Sequence, residues 1–242
     1  MSALFTPPGP AGAARPAGPA ALPKVTFFDL DYTLIPMDSD FEWGEFTISL
    51  GWRDGVEFKR RNAEFFEQYK DGTLDLPAYV RFTTEAMREQ GATKSIAAHA
   101  LFMLTIVQKG IKKQALELVR GHQAAGDDVL IVTATNTFVT GPIAEAFGVK
   151  HLIGVELARD AHGQLTGEIE GTPSFREGKV TRVEAWLADR HWRWSDIETT
   201  FYTDSMNDLA LLERVNHPVA TNPDDRLRAL ACARGWRILD LF

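Results

Sequence analysis

The chain has 242 residues, 45% of them hydrophobic, a formal net charge of −7 and a single cysteine. That length and apolar content suffice for a full core with a modest accessory unit, and the negative balance argues against a non-specific nucleic-acid binder. No apolar stretch approaches the length of a membrane span, and one cysteine excludes an intrachain disulfide, which points to a reducing, cytoplasmic setting.

Residues 1 to 23 are dominated by Ala, Pro and Gly, with one charged side chain at Arg15, and read as a disordered tail. Pro7, Pro8, Pro10, Pro16 and Pro19 interrupt any signal-peptide core. Val25, Phe27 and Phe28 then read as a buried strand of a parallel sheet. From Asp38 to about Gln108 helical periodicity takes over. A first helix begins with Phe41 to Leu50, Phe58, Phe65, Phe66 and Tyr69 give a second an aromatic face, and residues 75–90 and 95–107 make two more. The remainder alternates in the α/β manner. It predicts a helix over 111–125, a strand over 128–133 and a helix over 138–147 ended by Gly148. LIGVELARD and QLTGEIEG read as a β-hairpin flap, followed by helix 179–190, strand 200–202, helix 207–215, strand 218–220 and helix 224–234. Cys232, in that last helix, reads as a packing residue.

The chemistry concentrates where strands end. In FFDLDYTLI the apolar strand runs into Asp29, Asp31 and Thr33, and ligands of open α/β sheets bind beyond the carboxyl ends of strands. Two carboxylates this close need a cation, a shared proton or backbone donors. A D-x-D-x-T alone is also an ordinary strand-end turn. A second acid pair, Asp204 and Asp208, follows the strand in FYTDSMND, and acids at two strand ends suggest one Mg²⁺ site held by Asp29 and Asp204. Between them stand Thr133, ending the run VLIVT, and Lys179, opening an amphipathic helix with Val180, Val183, Trp186 and Leu187 on one face. Taken singly, these are a strand threonine and a surface lysine. A hydroxyl and a fixed ammonium are also what a phosphoryl dianion needs.

In this order and spacing the four pieces resemble the haloacid dehalogenase superfamily of phosphatases, most closely its branch that includes phosphoserine phosphatase, from Val25 to about Phe242. The resemblance implies an α/β fold: a Rossmann-like core of a parallel sheet flanked by helices, over 24–37 and 110–242, with an inserted helical cap domain over 38–109. It also implies that Asp29 is the nucleophile and Asp31 the general acid and base. Thr133, Ala134 and Lys179 would hold the phosphate. Asp29, the Asp31 carbonyl and Asp204 would hold Mg²⁺, supported by Thr33, Asn207 and Asp208. The segment IPMDSDFEWGEF departs from the phosphoserine phosphatase pattern and, with TATN, is similar to a group containing histidinol-phosphate phosphatases. The expected partner is therefore a small phosphorylated metabolite, with histidinol phosphate ranked first, phosphoserine second and another phosphomonoester third. No nucleic-acid or membrane partner is expected. Asp38, Asp40 and Trp43 are expected at the site mouth, where acids and an indole would meet a cationic substrate group. The competing classes are a phosphotransferase and a non-catalytic phosphate-binding protein.

Overall fold

A computed structural model describes residues 22–242. The segment read as a disordered tail lies, up to residue 21, outside the described residues. The first strand, β1 (Lys24–Phe28), sits inside a six-stranded parallel sheet of order β3-β2-β1-β6-β7-β8. The other strands are β2 (Asp128–Asn136), β3 (His151–Val155), β6 (Glu198–Thr203), β7 (His217–Thr221) and β8 (Arg237–Leu239). Strand alternation splits the interior into two apolar clusters, one on each face. Val25, Phe27, Leu130, Val132 and Phe201 enter one cluster, and Phe28, Val129, Ile131 and Tyr202 the other. A sheet buried on both faces explains why its strands read as continuous apolar runs.

Four helices follow β1 as an insertion: α1 (Ser39–Ser49), α2 (Gly55–Asp71), α3 (Leu76–Gln90) and α4 (Ala92–Phe102). The last continues through a π-turn over Met103–Val107 into α5 (Gln108–Gly110). Their ends are chemically marked. Asp38 caps α1 by accepting from the N–H groups of Asp40 and Phe41, Asp54 and Asp75 cap α2 and α3, and Gly72 closes α2 at φ 74°. Helices α6 (Lys113–Ala124), α7 (Thr137–Ala146), α8 (Glu177–Ala188), α9 (Leu209–Leu212) and α10 (Asp225–Arg234) complete the layers around the sheet.

Three expectations are corrected. The first half of LIGVELARD is not a flap: His151–Val155 pairs in parallel with β2, and only β4 (Leu157–Arg159) and β5 (Leu165–Ile169) form the hairpin. That hairpin packs on α3, where Arg81 pairs with Glu168 at 3.4 Å. Strand β8 was not expected, because its three residues carry too little pattern to stand out; pairing with β7 defines it. Cys232 is exposed and is not a packing residue.

Candidate active site

The sheet register decides which acids meet. Phe28 pairs with both Ile131 of β2 and Tyr202 of β6, so Asp29, Thr133 and Asp204 lie one or two residues beyond a common row. The Asp29 N–H donates to the Tyr202 carbonyl at 2.9 Å. The chain steps outward from β1 through β2 to β3, then returns to β6 on the other side of β1. The crevice beyond β1 and β6 is therefore the topological switch point, where open α/β sheets bind ligands.

Lys179 comes to this crevice from the first turn of α8 and is buried. Its ammonium donates to Asp29 Oδ1 at 3.0 Å and to Asp208 Oδ2 at 2.7 Å, and the Thr203 hydroxyl donates to the same Asp208 oxygen at 2.7 Å. Thr33 ties the two strand ends together: its hydroxyl donates to Asp204 Oδ1 at 2.9 Å and accepts from the Asp204 N–H at 3.0 Å. Asp31 is held from two directions, by the Ser39 N–H on Oδ1 at 2.7 Å and the Thr135 hydroxyl on Oδ2 at 2.9 Å. Thr133 Oγ1 accepts from the Thr135 N–H at 3.1 Å, which fixes the turn around Ala134.

One ammonium thus pairs with two carboxylates, Asp29 and Asp208, in a crevice that Asp31 and Asp204 also line. Burial raises the Asp29 pKa to about 6, although Lys179 opposes the rise. Burial pushes Asp31 well above the usual carboxylate range, and the charge of Asp38 adds to the effect. Asp204 is pushed up in the same way, by burial and then by the charge of Asp29. Burial alone would lower Lys179, but Asp208 and Asp29 raise it on balance, so it stays charged. Asp29 and Asp204 offer oxygen donors only, carry excess negative charge and sit at neighbouring strand ends. This donor chemistry fits a hard cation such as Mg²⁺, which takes one or two carboxylates and completes its shell with water and phosphate. No cluster of three or more His, Cys, Asp or Glu placed to hold a metal occurs among the described residues, as expected for so sparse a protein ligand set.

The crevice opens into a cavity of about 130 Å³ between the sheet and the inserted helices. Asp29, Asp31, Thr133, Ala134, Lys179 and Asp204 line its inner end, and Asp38 lies on its wall. Three expected placements are corrected. Trp43 is 1% exposed and packs among Phe46, Trp52, His99, Phe102 and Phe138, away from the cavity. Position in a short segment fixed its distance from Asp29, but helix phase turned it into the core. Trp43→Ala is accordingly expected to cost about 3–5 kcal/mol of stability, measured by denaturant unfolding, with no selectivity among substrates. Asp40 is buried behind the wall, where Asn136 Nδ2 donates to it at 3.2 Å and Tyr79 interacts with it, and its pKa is pushed up to about 7 by burial and then by the charge of Asp38. Asn207 directs its amide toward the inserted helices instead of the carboxylates. It accepts from Arg176 at 3.3 Å and donates to the Tyr69 carbonyl at 3.4 Å.

Sequence reasoning missed Thr135 and Thr203, which bond to Asp31 and Asp208. Thr135 lies two residues past Thr133 on β2, so strand alternation was the available signal. It also did not place in the cavity the ring side chains that α2 and α3 send there, reading only an aromatic face on the second helix.

Comparison with known proteins gives the family and the fold. The family model for the haloacid dehalogenase-like hydrolases matches residues 26–213. The chain belongs to that family. A histidinol-phosphatase from Neisseria meningitidis serogroup C is 38% identical to this haloacid dehalogenase-like hydrolase over 90% of this chain and 98% of that protein. The crystal structure of a Bordetella pertussis Tohama I protein of unknown function is 45% identical, with a TM-score of 0.86 over 92% of this chain and 100% of that one. A phospho-aspartyl intermediate analogue of phosphoserine phosphatase shares the fold, at 18% identity and a TM-score of 0.64 over 91% of this chain and 94% of that one.

Proposed function

We propose that this haloacid dehalogenase-like phosphatase hydrolyses a small phosphomonoester through a phosphoaspartyl intermediate on Asp29, with histidinol phosphate the first-ranked substrate. The observation that supports the reading is the division between two carboxyls. Asp29, at about 6, is mostly ionised near neutral pH beside Lys179, while burial pushes Asp31 well above the usual carboxylate range, toward the protonated form an acid needs. Pairs of acids whose environments drive them apart are how acid and nucleophile roles are divided.

An Asp29 oxygen attacks phosphorus, the ester P–O bond breaks, and Asp31 passes its proton to the departing alkoxide. Asp31, now a carboxylate, takes a proton from water as that water attacks the same phosphorus; the Asp29–phosphorus bond breaks and inorganic phosphate leaves. Lys179, Thr133 and the Ala134 N–H hold the phosphoryl oxygens throughout. Mg²⁺, held by Asp29, Asp204 and the Asp31 carbonyl, would neutralise phosphoryl charge and orient the group for attack. The inserted helices act as the cap that covers these steps. Histidinol phosphate ranks first on two grounds. The histidinol-phosphatase relative matches along nearly its whole length, and Asp38 faces the cavity where a cationic group would lie.

The test is phosphate release from histidinol phosphate, phosphoserine and p-nitrophenyl phosphate, with Mg²⁺ and with chelator. A stability measurement accompanies it. Because Asp29's folded pKa lies above its ordinary 3.8, its contribution to stability is full below about 3.8 and is lost as pH rises through about 6. For Asp29 alone that rise corresponds to ~3 kcal/mol. Mg²⁺ should therefore raise Tm more near neutral pH than in mild acid. Chelator-insensitive turnover, or a Mg²⁺ shift in Tm that ignores pH, would count against a cation shared by these carboxylates.

A further inference from the structure

We propose that ring side chains of the cap select a phosphate ester whose leaving group is a flat, cationic ring without a carboxylate. This rests on the phosphatase reading above and narrows its substrate class. Beyond the phosphate end, the cavity wall is built from Phe65, Phe66 and Tyr69 of α2, Tyr79 of α3, and Phe175 and Tyr32 of core loops. Asp38 is the carboxylate on that part of the wall and Asn62 its amide. Among the described residues, Lys179 is the only cation on the cavity wall, and it is already bonded to Asp29 and Asp208.

Charge and shape are selected separately. Ring faces carry partial negative charge, and the Asp38 carboxyl adds acceptor oxygens, so a cation gains from both. A substrate carboxylate would meet Asp38 and Asp31 with no free cation on the wall to receive it, since Lys179 is already bonded and Lys70, over the Phe66 ring, is paired with Glu67 at 2.8 Å. The rings are also fixed in place. Phe65 meets Tyr79 edge-on at 5.4 Å and 71°, Tyr69 leans on Phe175 at 6.1 Å, and the Tyr69 hydroxyl hydrogen-bonds Ser205 Oγ at 3.0 Å. Rigid ring walls reward another ring more than a flexible alkyl chain, because offset and edge-on ring contacts exceed simple area burial. Phe66 differs from its neighbours in being 50% exposed at the cavity mouth, with the Lys70 ammonium 4.9 Å from its ring centroid, so a bound ligand would cover the part of the ring that remains open.

Binding separates this inference from catalysis. In Asp29→Asn protein with Mg²⁺, calorimetric titration should rank L-histidinol phosphate tightest, phosphoethanolamine next and phosphoserine weakest. Adding Phe66→Ala should weaken histidinol phosphate by about 3- to 30-fold and phosphoethanolamine by less, since only the former also loses a ring-to-ring contact. Phe66→Leu, which keeps the bulk and removes the ring, should behave like the alanine variant. Asp38→Asn retains a helix-capping side chain and should weaken both amines while improving phosphoserine. Equal losses on histidinol phosphate and phosphoethanolamine in the Phe66 variants, or phosphoserine binding tightest, would overturn the proposal. If the binding order holds while wild-type protein hydrolyses none of the three, ring selection stands and the catalytic reading fails.

Discussion

Asp29→Asn is expected to lower kcat by at least about 10⁴-fold on every phosphomonoester, because on the proposed mechanism it removes the carboxylate that attacks phosphorus. The amide is nearly isosteric. It can still accept from the Lys179 ammonium through its carbonyl oxygen, so the 3.0 Å contact need not be lost and the fold should persist. Acid-quenched wild-type enzyme should retain phosphate from labelled substrate on the protein, and the variant should retain none. Turnover by Asp29→Asn at near wild-type rate would sink the covalent mechanism, whatever the substrate proves to be.

Asp31→Asn should lose about 10²- to 10⁴-fold on an alkyl phosphate, the usual worth of positioned acid–base catalysis. Its carbonyl can still accept from the Ser39 N–H, now at 2.7 Å, so the turn into α1 should hold. The leaving group decides the form of the defect. p-Nitrophenolate departs without a proton, so the first step should be nearly spared, but hydrolysis of the phosphoenzyme still needs the base. Rapid mixing with p-nitrophenyl phosphate should then show a burst of one equivalent of nitrophenol followed by slow turnover. A variant that lost equally on alkyl and aryl esters, with no burst, would assign Asp31 a supporting role only.

These two variants probe residues already legible in the chain. Asp29 and Asp31 follow an apolar strand directly, and adjacency along a strand end survives folding unchanged. The same holds for Asp204 after β6 and Thr133 within β2. The parallel sheet and the helical insertion were legible for the same reason, since their periodicities of two and 3.6 residues repeat over enough positions to stand out. Short or composite elements were not. Strand β8 has three residues, and LIGVELARD divides between two sheets at Glu156, a partition that depends on partners contributed from elsewhere in the chain.

By itself, then, the sequence determined the chemistry: which carboxylates, which hydroxyl and which ammonium stand at strand ends and at the start of a helix. Tertiary structure alone decided how that chemistry is aimed. The shared register at Phe28 brings Asp29, Thr133 and Asp204 into one row, and α8 delivers Lys179 between Asp29 and Asp208. The cap illustrates the limit most clearly. Asp38, Asp40 and Trp43 all follow Asp29 within a short stretch of chain, yet one lines the cavity, one is buried behind its wall and one packs in the core. Proximity along the chain bounds distance. Direction is set by helix phase and by what packs on each face, and those depend on residues up to a hundred positions away.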